Sequence, residues 1–266
     1  MQVTWVLENG VFASGDASLR SALAAAGDRV VDWQDDWWST GRWPRLEGPV
    51  IVRAALGNAD RIARELPWRP GAFCDTAAFC CSRWYDAAAP WLLNRRFVMA
   101  TARALTDAPS DVLAPIGTPE RVFVRPDSPL KPFAGRVVAT AELTLRALDH
   151  GFYYDDEHLP VVAAPVVPVD AEWRYVVVDG VVVAGSAYQA DGRSALPDDP
   201  RGEPWQLAQT IAAAMPAPQR VYVLDLCRSE GELRLLELNP FAGADLYATD
   251  AAAIVAAVDA VARSSV

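Results

Sequence analysis

Apolar positions along the chain fall into two patterns. In the first third, short apolar runs at 3–7 and 50–52, the second entered through Gly48-Pro49, read as strands. Between and after them, 18–26 reads as a helix with Ser18 or Asp16 as its cap and Gly27 as its stop, and 58–66 as a helix ended by Pro67. Strands alternating with helices suggest a small α/β lobe. Residues 91–105 read as a longer helix leading out of it. Beyond about Pro115 the pattern changes to Val-rich runs separated by turn signals. Strands are expected at 121–125, stopped by Pro126, and at 136–143, followed by a helix to His150. A hairpin is expected from 173–178 and 181–188 around Asp179-Gly180, and a second from 221–225 and 233–239 around Glu230-Gly231. Helices at 204–215, with Pro at its start, and from Thr249, as cap, to about Ala262 complete the pattern. We divide the chain into an N-terminal lobe, 1–115, and an α+β domain, 116–266. Residues 191–203, rich in Asp, Gly, Arg and Pro, are the best candidate for a mobile loop.

Composition narrows the function classes. With 266 residues, 52% hydrophobic and 22% charged, the chain has ample material for a packed core. A net charge of −10 opposes the counterion-release attraction behind nucleic-acid binding, so a general nucleic-acid binder is disfavoured. Residues 1–5 carry no basic region followed by an apolar core, and Pro165 and Pro168 interrupt the longest apolar run, so neither a signal peptide nor a membrane span is expected. The chain reads as cytoplasmic. Cys74, Cys80, Cys81 and Cys227 have neither metal-site nor disulfide spacing and read as reduced, mostly buried thiols. The stretch 32–38, with Trp33, Trp37 and Trp38, reads as core packing ahead of a recognition surface. His150 and His158 are the only histidines, and no G-x-x-x-x-G-K-[ST], G-x-G-x-x-G or G-x-S-x-G occurs.

Two groups of residues carry candidate chemistry. Glu237 and Asn239 lie two apart on one strand and so share a face. A three-residue loop Glu230-Gly231-Glu232 places Asp225 opposite Glu237. Facing like charges need compensation, and two carboxylates with an amide suit Mg²⁺ shared with phosphates. The alternative is a set of solvated strand-end polar groups. The second group is basic: Arg125 ends a strand, Lys131 follows in a loop, and Arg174 begins a later strand. Lys131 is the only lysine among 24 basic residues, and an ammonium differs in kind from a guanidinium as a mobile phosphate contact. An ordinary ion pair, Arg174 with Glu172 on the same face, is the plainer account of that arginine.

The segments Phe123-Val124-Arg125-Pro126 through Lys131-Pro132-Phe133-Ala134-Gly135, Glu172-Trp173-Arg174-Tyr175, and Asp225 with Leu236-Glu237-Leu238-Asn239-Pro240 together resemble a divergent ATP-grasp clade distinguished by two lysines in its RAGNYA half. The resemblance covers about 121–250. It implies an ATP-grasp fold, in which two α+β subdomains clasp ATP, preceded by a pre-ATP-grasp lobe. It also implies that Lys131 contacts ATP phosphates, that Arg174 holds the transferred phosphoryl group, and that Asp225, Glu237 and Asn239 bind Mg²⁺. Arg125 stands where the clade has a lysine, and 163–166 lies where an adenine-contacting hinge belongs. Lys131 and Arg174 are the implied catalytic residues, and Arg125, Lys131, Arg174 and Asp225 the implied ATP contacts. The implied activity is carboxylate–amine ligation through an acyl phosphate, with a peptide or protein among the possible substrates. The clade also includes a eukaryotic factor that assists assembly of a translation initiation complex, so a non-ligating ATP-binding assembly factor is the alternative.

Overall fold

The computed structural model describes residues 1–12, 14–189, 194–195 and 200–265. Residues 191–193 and 196–199 of the expected mobile loop lie outside them. Strands β1 (Thr4–Leu7), β2 (Arg29–Asp32), β3 (Val50–Arg53) and β4 (Pro70–Gly71) form a sheet of order β2-β1-β3-β4, all parallel. Helices α1 (Asp16–Ala26), α2 (Asp36–Thr40) and α3 (Leu56–Glu65) intervene, as parallel pairing requires. Strands β5 (Val98–Thr101), β6 (Arg121–Pro126), β7 (Arg136–Ala139) and β8 (Pro160–Pro165) form an antiparallel sheet of order β5-β8-β6-β7. Short helices α4 (Cys81–Ala88), α5 (Ala102–Asp107) and α6 (Pro109–Leu113) lie before and within that unit. The largest sheet is antiparallel: β9 (Ala171–Val178), β10 (Val181–Gln189), β11 (Ser194–Ala195), β12 (Val221–Ser229) and β13 (Glu232–Pro240), in the order β11-β10-β9-β12-β13. Helices α7 (Glu203–Ala214) and α8 (Ala251–Arg263) complete the chain.

Alternation along β9 and β12 divides the largest sheet into two faces. Trp173, Tyr175, Val177, Tyr222, Leu224 and Leu226 pack with α4 and α7. Val176, Val178, Val221 and Val223 pack with α1, α8 and the parallel sheet, including Trp5. Along this second face the same alternation runs on to Arg174, Glu172 and Asp225, so the polar site is a continuation of a core face. Trp33 and Trp68 are buried against α3, with Trp37 and Trp38 packed on them, and core packing is therefore what the aromatic stretch does.

Several local expectations are corrected. Residues 91–105 are not one helix. The backbone of Trp91 and Leu93 pairs with Leu235 at the open edge of β13, β5 pairs with β8, and helix begins only at Ala102, where the Thr101 hydroxyl accepts from the Ala104 amide at 3.1 Å. Strand pairing overrides helix propensity there. The strand from Arg136 stops at Ala139, and the helix expected before His150 is a single 3₁₀ turn at Arg146–Leu148. Asp250, rather than Thr249, caps α8, accepting from the Ala253 amide at 3.0 Å. Neither Ser18 nor Asp16 caps α1, whose N-cap is Gly15 in the left-handed region. The four cysteines are free, and burial pushes the Cys74 and Cys227 thiols up to about 12.

Candidate functional site

A single cross-strand row holds the centre of the site. Ser186 of β10 faces Arg174 of β9, Arg174 faces Asp225 of β12, and Asp225 faces Glu237 of β13. The last pairing is the expected one, reached differently. The hairpin turn has two residues, Glu230 and Gly231, both at positive φ (52° and 82°), as a twisted two-residue turn demands. One residue of slippage between turn and site is then recovered by a bulge, which leaves Leu236 without an opposite partner. Without it, Glu237 would lie on the opposite face.

Arg174 forks onto Asp225, Nε to Oδ1 at 2.8 Å and Nη2 to Oδ2 at 2.7 Å, and its third nitrogen donates to the Asp245 carbonyl at 3.0 Å. The pair with Glu172 does not form; Glu172 instead accepts from the Tyr188 hydroxyl at 2.6 Å. Burial works against the Arg174 charge, but Asp225 outweighs it and holds the guanidinium firmly protonated. The rings of Tyr188 and Tyr247 stack 4.6 Å apart, and the Arg174 guanidinium lies over both.

The second sheet supplies two cations to the same row. Arg125, near the end of β6, bonds one oxygen of Glu237, and Lys131 reaches the other at 2.9 Å. Burial alone would raise the Glu237 carboxyl; Lys131 and Arg125 together hold it well below the usual carboxylate range. Asn239 donates its amide nitrogen to Asp225 at 2.9 Å and to Glu237 at 3.1 Å, so it bridges the two carboxylates. The loop carrying Lys131 is tied to α4: Asp127 accepts from the Ser82 amide at 2.7 Å and from its hydroxyl at 2.9 Å.

These side chains line a cavity of about 510 Å³, which the N-terminal lobe closes with Val11, Phe12, Ala55 and Leu56. Arg53, at the carboxyl end of β3, is 2% exposed and donates to the carbonyls of Phe241 at 2.8 Å and Ala244 at 2.7 Å. Its guanidinium lies over the Phe12 and Phe241 rings, and burial lowers it to about 9. Arg53 therefore ties the N-terminal lobe to the segment after Asn239, which in turn holds Arg174 through Asp245.

The donor set fits a hard divalent cation. Asp225, Glu237 and the Asn239 carbonyl offer only oxygen, and the Asn239 nitrogen, as a partial positive charge, already sits between the two carboxylates where a cation belongs. Turning that amide over presents its oxygen to the same point. Among the described residues no cluster of three or more His, Cys, Asp or Glu is arranged for a metal, and two carboxylates with an amide is the sparse set by which Mg²⁺ is shared with phosphates.

All six expected residues thus converge. Arg53, Tyr188, Tyr247 and Asp245 were missed. For Arg53 the available signal was a charge closing an apolar run at the carboxyl end of a parallel strand, where α/β sites gather. Tyr188 lay in the expected hairpin, and only its register with Glu172 places it at the site.

A family model for an ATP-grasp domain, the second family of its clade, matches residues 92–257. No curated protein sequence matches significantly. Among solved structures, D-cycloserine synthetase DcsG superposes with a TM-score of 0.66 at 19% identity, covering 96% of this chain and 98% of that one. D-alanine–D-alanine ligase from Bacillus anthracis complexed with ATP gives 0.57 at 14%, covering 98% and 92%. The ATP-grasp ligase PsnB complexed with precursor peptide PsnA2 and AMPPNP gives 0.53 at 14%, covering 91% and 89%. At these identities the likeness is one of fold.

Proposed function

The chain belongs to this family of ATP-grasp domains, and from that premise we propose that it is an ATP- and Mg²⁺-dependent carboxylate–amine ligase. The observation that carries this reading is the row Arg174–Asp225–Glu237 with Arg125, Lys131 and Asn239 gathered on it. Three cations and two carboxylates are packed at one cavity wall with neither histidine nor a serine nucleophile, and phosphoryl transfer asks for positioning and charge neutralisation rather than covalent participation. Mg²⁺ held by Asp225, Glu237 and Asn239 would neutralise phosphate charge as it moves. Arg125 and Lys131 contact the ATP phosphates, a guanidinium standing at one position where two lysines mark the RAGNYA clade. Lys131, on a loop and with its side chain 44% exposed, is free to follow the γ-phosphoryl group; Arg174, locked in its fork, orients it. A substrate carboxylate takes that group to form an acyl phosphate, and an amine displaces phosphate from it. Residues 1–115 serve as a pre-ATP-grasp lobe and 116–266 as the ATP-grasp domain.

The substrates are a carboxylate and an amine, a peptide among the candidates; we place the protein in the cytoplasm. No helix among the described residues is long and apolar enough to cross a membrane.

Calorimetric titration with Mg·ATP of the wild type, Lys131→Ala and Glu237→Ala tests the site. Mg²⁺-dependent binding, weakened at least ten-fold in each variant, is expected. Binding unchanged by either substitution, or wild type that does not bind, overturns the assignment. Bound ATP that persists while a partner protein co-purifies, with no ADP formed across carboxylate and amine pairs, would favour an assembly factor instead.

A further inference from the structure

Glu172 and Arg174 leave β9 on the same face, about 6.6 Å apart along the strand. Arg174 is matched by Asp225, whereas Glu172 has no Lys, Arg or His nitrogen at ion-pair distance among the described residues. Its carboxylate takes one hydrogen bond, from the neutral hydroxyl of Tyr188, and faces the cavity. Burial raises it above the usual carboxylate range, and Asp225 and Glu237 add to that effect. The wall beside it is the Tyr188–Tyr247 stack. An unmatched carboxylate repels polyphosphate, which confines the nucleotide to the side of Arg125 and Lys131. It attracts a small cation with N–H groups, and the adjoining ring faces suit the same charge.

We propose that Glu172, with Tyr188 and Tyr247, seats the primary ammonium of the amine substrate and takes the proton that frees it for attack. This rests on the ligase reading. The ammonium gives one proton to Glu172; the nitrogen lone pair forms the bond to the acyl carbon, and the C–O bond to phosphate breaks with its electron pair. The second proton leaves the new amide nitrogen for the departing phosphate, and the third stays as the amide N–H. Glu172 is regenerated by solvent.

The test is calorimetry with L-alaninamide, a primary ammonium without a carboxylate, against tetramethylammonium, a cation without N–H. Wild type, Glu172→Gln and Tyr188→Phe are titrated both loaded with Mg·AMPPNP and free of nucleotide. L-alaninamide should bind wild type at least ten-fold more tightly than tetramethylammonium does. Glu172→Gln should lose at least ten-fold and Tyr188→Phe two- to five-fold. Wild-type affinity should fall between pH 7 and 5 while that of Glu172→Gln stays flat. Equal affinity in Glu172→Gln, or no binding of L-alaninamide to wild type in either state, overturns the proposal. Failure of the ligase reading shows separately, as wild type that does not take up Mg·AMPPNP, and the nucleotide-free titration still decides the seat.

Discussion

Asp225→Asn isolates the energetic centre of the site. Asp225 is 1% exposed and Arg174 9%, so the substitution leaves a guanidinium in a nearly dry place with half its fork unmet. The asparagine oxygen can accept one of the two N–H groups, but its amide nitrogen then opposes the other donor. Removing one partner of a buried pair costs about 3–5 kcal/mol. One retained acceptor puts Asp225→Asn near the lower end, about 3 kcal/mol, which for a chain of this size is about 6–12 °C in Tm. Arg174→Met in the same background removes the stranded charge, and the double variant should return to within about 1.5 kcal/mol of wild type. Reversible urea unfolding of all four proteins gives the coupling energy directly. A loss below about 1 kcal/mol in Asp225→Asn, or a double variant no more stable than the single, refutes the reasoning. The restored variant should still fail to turn over ATP, because stability and chemistry draw on the same fork for different purposes.

Other consequences are open to test. Burial and the neighbouring Asp28 push the Asp259 carboxyl up to about 6 from 3.8. The folded state therefore holds a proton the unfolded chain releases, and this contribution, about 3 kcal/mol, is complete below about pH 4 and gone as the pH passes 6. Thermal melts from pH 4 to 7 should show that decline, and Asp259→Asn should flatten it; a wild-type profile that rises instead would contradict the assignment. Asp127→Ala removes the cap on α4 and should cost about 1 kcal/mol by urea titration, while loosening the loop of Lys131 enough to weaken Mg·ATP several-fold; unchanged nucleotide affinity would separate the cap from the site. Gly231→Ala, at a φ of 82°, should cost about 1 kcal/mol and raise the unfolding rate.

The hairpins, the closing helix and all six candidate residues were legible because alternation, turn residues and charge placement are local signals. The pairing of Asp225 with Glu237 was reached through a three-residue loop that does not exist; a tighter turn and the bulge at Leu236 give the same result, and a bulge leaves no mark in composition. The segment 91–105 was misread because its backbone partners, Leu235 and β8, are remote in sequence. Arg53 and the Tyr188–Tyr247 stack depend likewise on contacts made across the chain.

The indole of Trp5 bonds Asp259, 254 positions later, at 3.0 Å, and the face of β1 that it belongs to is covered by α8. During synthesis, then, the first strand is made long before the helix that shelters it, and its apolar side must stay exposed or be shielded by other proteins meanwhile. Closure over so long an interval is slow to find. The parallel sheet and the ligand cavity it borders should accordingly mature together and late, and a ribosome stalled before residue 251 should hold a chain whose Phe12 and Arg53 have not yet met the loop that they clamp.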